Sequence, residues 1–220
     1  MARREQPWPR YGPLLACVTA AMALQGAVPP GPVQEIVVNV LLGATLILAF
    51  NVARAARWLV VIAYLLAAAG LAVSILRALD SGLGEGEARV MSAVLVAFGP
   101  PAVAVGVLRS LRTNGQVRIE AVTGVLALYM LLGMLFGFLY GAIDRLGTTP
   151  FFAQDVAATV SHCLYFSFTT LTTVGYGDLT ASDDLGHTLA VFEALVGQIY
   201  LVTVVSLIVG NLGRAHPRSS

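Results

Sequence analysis

Polar and apolar residues in this chain are not interleaved at the short periods of a soluble helix or strand. Apolar residues come instead in long runs from which charge is excluded. These runs are Tyr11–Val28, Ile36–Ala53, Trp58–Leu76, Val90–Leu108 and Ala121–Ile143, and a sixth, Leu185–Leu212, is interrupted only by Glu193. Each is long enough, as a helix, to cross a bilayer core about 30 Å thick. A further uncharged stretch, Val156–Gly177, differs in kind, being rich in Ser, Thr and Gly. The pattern predicts an all-α integral membrane protein of six transmembrane helices, with the odd stretch as a re-entrant helix and loop between the fifth and sixth.

Composition agrees. Hydrophobic residues make up 57% of the 220 and charged residues only 11%, against roughly 25% charged in a soluble domain. The net charge of +1 and the lack of a basic tail argue against a nucleic-acid partner. Cys17 and Cys163 lie far apart in apolar stretches, and His162, His187 and His216 have no catalytic or metal spacing, so no enzyme is expected. Leu14–Cys17 resembles a lipoprotein cleavage box, but too few apolar residues precede it for a signal peptide, and an uncleaved first helix is expected.

The arginines test the topology. With Val156–Gly177 re-entrant, Arg3, Arg4, Arg10, Arg54, Arg57, Arg109, Arg112, Arg118, Arg214 and Arg218 share one side of the membrane, and Arg77, Arg89 and Arg145 share the other with most of the acids. The arginine-rich side is cytoplasmic by the positive-inside rule, placing both termini in the cytoplasm of a multi-pass protein of the cell inner or plasma membrane. A full crossing by Val156–Gly177 would break this bias.

Non-helical backbone at membrane depth is tolerated only where protein buries it or it faces a watery path. In Thr173-Val174-Gly175-Tyr176-Gly177 two glycines give access to backbone angles costly for other residues. That freedom lets carbonyls turn toward one axis and, with the Thr173 hydroxyl, replace the water around a cation. Oxygen ligands without a carboxylate suit a large monovalent ion that must bind and then leave.

Thr173 to Gly177, followed by Asp178, match the selectivity-filter signature of potassium channels, and about Ile119–Leu212 resembles their outer helix, pore helix, filter and inner helix. The resemblance is to the bacterial two-helix pore modules, and it implies passive conduction of K+, with no cofactor besides the permeant ion. K+ would be held at Thr173, Val174, Gly175 and Tyr176, with Asp178 at the outer mouth. A pore helix from about Val156 to Thr170 is expected, N-capped by Asp155, its C-terminal dipole facing the ion. Tyr165 and Phe166 stand where the family commonly has a Trp pair bracing the filter; Tyr165 retains a donor toward Asp178, and Phe166 has none for Tyr176. Thr169 stands where some bacterial members carry a glutamate, and it counts with Thr170 as pore-helix support. Gly197 lies where the family often has a gating hinge, with close packing as the other reading. Glu193, four residues earlier, is read either as buried behind the filter on hydroxyls such as Thr169 or Thr170, or as a boundary residue reaching outside water.

One chain supplies one filter strand, so a homotetramer in the lipid bilayer is implied. The expected organisation is a four-helix membrane domain over 1–112, a pore domain over 119–212 and a short cytoplasmic tail over 213–220. Val90–Leu108 carries no arginine and the first three spans carry no acid in their interiors, so a conventional voltage sensor is not expected; Gly99-Pro100-Pro101 is expected to kink the fourth span. The opening stimulus would come from the membrane, pH, the first four spans or a separate regulatory protein. Gly133, Gly137 and Gly141 form a small-residue face for the inner helix or a neighbouring subunit. A non-selective cation channel, a secondary transporter and a non-conducting membrane subunit are the alternatives.

Overall fold

The computed structural model describes residues 11–27, 31–52, 56–79, 97–98, 102 and 119–212. Six helices are defined among them: α1 (Gly12–Ala27), α2 (Pro32–Val52), α3 (Arg57–Ala78), α4 (Ile119–Leu146), α5 (Val160–Leu171) and α6 (Asp184–Leu212). By length and composition α2, α3, α4 and α6 can each cross a membrane, whereas α1 is a shorter apolar helix of 16 residues. The expected fourth span, Val90–Leu108, and Arg109, Arg112 and Arg118 behind it lie outside the described residues, apart from Ala97, Phe98 and Ala102.

Short connections make α1, α2 and α3 sequential neighbours, with α1 against α2 and α2 against α3. A Cβ on Gly43 would lie 2.9 Å from the Ala67 Cβ, so two small residues allow α2 and α3 to approach closely. Nearby, Asn39 Nδ2 donates to Ser74 Oγ at 2.6 Å, and that hydroxyl donates back to Gly70 O at 2.9 Å. Each buried polar group thus finds a partner without water. Helix α1 also packs on α4, with the Tyr11 ring over Gly124 and Thr19 Oγ1 reaching Met130 Sδ at 3.5 Å. Among the described residues α1 is therefore the element that joins α2 and α3 to the C-terminal helices.

Helix α5 lies between α4 and α6. It begins four residues later than the sequence suggested, and its N-cap is Thr159, not Asp155: Thr159 Oγ1 accepts from His162 N at 3.2 Å. Before it, Val156 N bonds Gln154 O and Thr159 N bonds Ala157 O, both at 2.8 Å. These tight turns prevent a helix from starting at Val156.

The glycine ridge of α4 also has a different partner from those expected. It receives α5: a Cβ on Gly133 would meet the Phe168 ring at 2.7 Å, and one on Gly137 would meet Leu164 Cδ2 at 2.7 Å and Leu164 Cα at 3.1 Å. Helix α5 claims this face because Phe168 and Leu164, one turn apart, both lie against it. Gly137→Ala is therefore expected to cost about 1–3 kcal/mol through overpacking against backbone. Gly141→Ala, whose methyl would meet only Cys163 Sγ at 3.7 Å, is expected to be neutral or to gain up to about 1 kcal/mol in helix propensity. Thermal unfolding in detergent compares the two, and equal effects would contradict this packing.

Candidate functional site

The site grows from the C-terminal end of α5. Thr172 closes the helix, its N–H bonding Phe168 O and Thr170 O and its hydroxyl bonding Phe168 O at 2.6 Å. Two further donors turn back to the same carbonyl end: Thr173 N to Thr170 O at 2.9 Å and Gly175 N to Thr169 O at 3.0 Å. The segment Thr173–Gly177 is thus tied to the helix through its N–H groups.

Its backbone has an unusual signature. Thr173, Gly175 and Gly177 have φ of +57°, +51° and +78°, while Val174 and Tyr176 between them do not. Gly175 and Gly177 adopt this region at little cost, whereas for a β-branched residue such as Thr173 it is a true outlier, of order 1–3 kcal/mol. Thr173 is held there from two sides, by its N–H bond to Thr170 O and by Gln198 Nε2 of α6, which donates to its hydroxyl at 2.9 Å. In a single chain the segment is open: Val174 is 53% and Tyr176 72% exposed.

Side chains of α5 sort onto two faces. Tyr165, Thr169 and Thr172, spaced i, i+4 and i+7, share the face toward the segment. Tyr165 Oη donates to Asp178 Oδ2 at 2.8 Å, and its ring stacks on Tyr176 with centroids 6.3 Å apart and planes 3° apart. The bond to Asp178, aided by desolvation, holds the Tyr165 phenol above the usual tyrosine range, so it remains a donor at neutral pH. Thr169 Oγ1 donates to Phe166 O at 3.0 Å, and Thr170 supplies its carbonyl to Thr173. Phe166 points away from the segment, into a cluster of Tyr140, Phe151 and Phe152 with edge-on centroid distances of 5.1, 5.8 and 5.7 Å.

Glu193 is fully buried on α6, and its partners differ from those expected. Tyr140 Oη donates to Oε2 at 2.6 Å, and the Ser167 hydroxyl bonds Oε1. Thr169 lies two residues beyond Ser167, about 200° around the helix, and so faces away from Glu193. Gly197 rests on the end of α5, where a Cβ would fall 2.2 Å from Leu171 O. Helix α6 runs through this position without interruption, and the close approach to Leu171 leaves no room there for a side chain. Leu171 O also accepts from Tyr129 Oη at 3.2 Å, and Tyr129 stacks on Tyr200 of α6 at 5.5 Å.

A clasp joins the chain before α5 to the chain after the segment. Phe152 and Ala181 form an antiparallel bridge, with Ala153 N on Thr180 O and Ser182 N on Phe151 O, both at 2.9 Å. Gln154 adds a two-way bond, Nε2 to Thr180 Oγ1 and Oε1 from Thr180 N, both at 3.0 Å. Asp144 Oδ1 accepts from Phe151 N at 2.9 Å and joins the clasp to α4. Ser167, Tyr140, Tyr129, Gln154 and Gln198 were not singled out from sequence. A hydroxyl or amide inside an apolar run was the available signal for most of them, and only the fold selects which ones meet.

Residues 124–213 match a family model described as "Ion channel". The match supports an ion-channel family. It covers somewhat under half of the chain, takes in α5, the Thr173–Gly177 segment, α6 and all but the start of α4, and supports passive ion conduction by a membrane protein. No curated protein and no solved structure matches the chain.

Two outcomes follow from these contacts. Gly197→Ala should cost about 3 kcal/mol or more, despite the usual gain of alanine over glycine in a helix, because its methyl meets a backbone carbonyl; wild-type thermal stability would mean α6 does not rest on Leu171. Gln154→Ala should lose two hydrogen bonds worth about 1 kcal/mol each and speed hydrogen exchange at the Thr180 amide; unchanged exchange would remove the clasp.

Proposed function

We propose that this chain is a subunit of a potassium-selective channel, in which four copies surround an axis lined by Thr173–Gly177. The observation that carries this reading is the recurrence of left-handed backbone at every second residue of that segment, inside a module matching an ion-channel family. In an extended strand successive carbonyls point to opposite sides. Alternating the sign of φ removes that alternation, so carbonyls can face one side together. The N–H groups of Thr173 and Gly175 turn back to α5, which suits a strand that offers oxygen, not N–H, to its other side.

Four such strands offer rings of carbonyls, with the Thr173 hydroxyls at the inner end, to replace the hydration of K+. The C-terminal end of α5 adds partial negative charge beneath them. Asp178, pinned by Tyr165, would repeat fourfold at the outer mouth and concentrate cations. Transport is passive, and no residue undergoes chemistry. The exposure of Val174 and Tyr176 in one chain supports the need for neighbouring copies. The orientation follows the arginine distribution, with both termini cytoplasmic, and no regulatory partner is assigned.

The deciding experiment is the reversal potential of purified protein in a planar bilayer, with potassium on one side and sodium on the other. A reversal strongly favouring potassium, abolished by Gly175→Ala, is expected. A reversal near zero with open channels would replace the proposal with a non-selective cation pore.

A further inference from the structure

Three contacts around Glu193 require more protons than its neighbours own. Tyr140 Oη lies 2.6 Å from Oε2, Ser167 Oγ bonds Oε1, and the same Ser167 Oγ lies 2.7 Å from Gly133 O. The Tyr140 contact uses the phenolic proton. The two contacts of Ser167 each need a proton, but a serine hydroxyl has one, and a backbone carbonyl has none to give. If serine donates to Glu193, two oxygens with lone pairs face each other at the Gly133 carbonyl. If it donates to Gly133, the same conflict moves to an ionised Glu193. In a buried site of low dielectric neither arrangement is favourable.

We infer that Glu193 is carried as the neutral acid, its proton on Oε1 and donated to Ser167 Oγ. Ser167 then donates to Gly133 O and Tyr140 donates to Oε2, so every contact has one proton. The chain of bonds begins and ends on α4, two turns apart, and passes through α6 and α5 on the way. A neutral acid also removes the heavy cost of a bare carboxylate in the hydrocarbon region. Glu193 is buried among the helices and is a positioning residue, fixing α5 between the two long helices. The groups bonded to it are the Tyr140 phenol from α4 and the Ser167 hydroxyl from α5. The inference rests on helix packing alone and stands whether or not the pore selects potassium.

Infrared difference spectroscopy of the full chain in lipid at neutral pH, wild type minus Glu193→Gln, tests it. The expected result is loss of one protonated-carboxyl carbonyl band, equivalent to one group per chain. Carboxylate bands lost in its place would overturn the inference. Glutamine can donate through its amide nitrogen to Ser167 and accept from Tyr140, so Glu193→Gln is expected to keep wild-type thermal stability, while Glu193→Leu, which satisfies neither, loses it. If Glu193→Gln does not fold, the neutral-acid reading loses that support, and the wild-type band is read directly against Tyr140→Phe and Ser167→Ala. Each removes one hydrogen bond from the carboxyl and should shift its band; an unshifted band in both would overturn the inference.

Discussion

The arrangement of the C-terminal module depends on one constraint: a peptide group in hydrocarbon has no water to bond. The chain leaves helical conformation after Leu171 and does not resume it until Asp184, and every freed group must be met by protein or by what the protein surrounds. The bonds from Thr172, Thr173 and Gly175 return these donors to the last turn of α5. Leu171 O is met by Tyr129 from α4, while α6 lies close enough that only glycine fits at 197. The short helix is therefore the base on which the segment is built, and the two long helices exist in this arrangement partly to hold that base.

Two polar assemblies hold it at different heights. Near the start of α5, the Phe152–Ala181 bridge and the Gln154 amide join the chain just before that helix to the chain just after the segment. Farther along α5, Glu193, Tyr140 and Ser167 join all three helices inside an otherwise apolar region. Between them the aromatic cluster of Phe151, Phe152, Phe166 and Tyr140 fills the space. Hydroxyls and amides are used sparingly, and each is placed where an apolar contact would leave a backbone or carboxyl group without a partner.

Much of this was legible in the sequence, for reasons that can be named. Long charge-free runs are nearly sufficient to define membrane helices, and α2, α3, α4 and α6 fall where those runs do. The positions of Thr173–Gly177 and the interior place of Glu193 were also visible, because such residues stand out against an apolar background. Pairing was not legible. Asp155 looked like a cap because it preceded an uncharged stretch, yet local turns delay the helix and give the cap to Thr159. Thr169 and Thr170 looked like partners for Glu193 by depth, yet facing depends on angle around α5, which depth alone does not fix. The glycine ridge announced a close neighbour, expected to be the inner helix or another subunit, and bulky Leu164 and Phe168 gave that place to α5.

The contacts between α5 and α6 carry a fixed offset. Glu193 meets Ser167 and Gly197 meets Leu171, both pairs 26 positions apart, as expected of two helices running the same way. One residue inserted into or deleted from α6 between Asp184 and Glu193 would turn the rest of that helix by about 100° relative to its first turns. The carboxyl, the glycine and the Gln198 amide would then leave their partners together. The spacing along the first turns of α6 is thus part of the site as much as any side chain, because it sets which face of the helix carries all three groups.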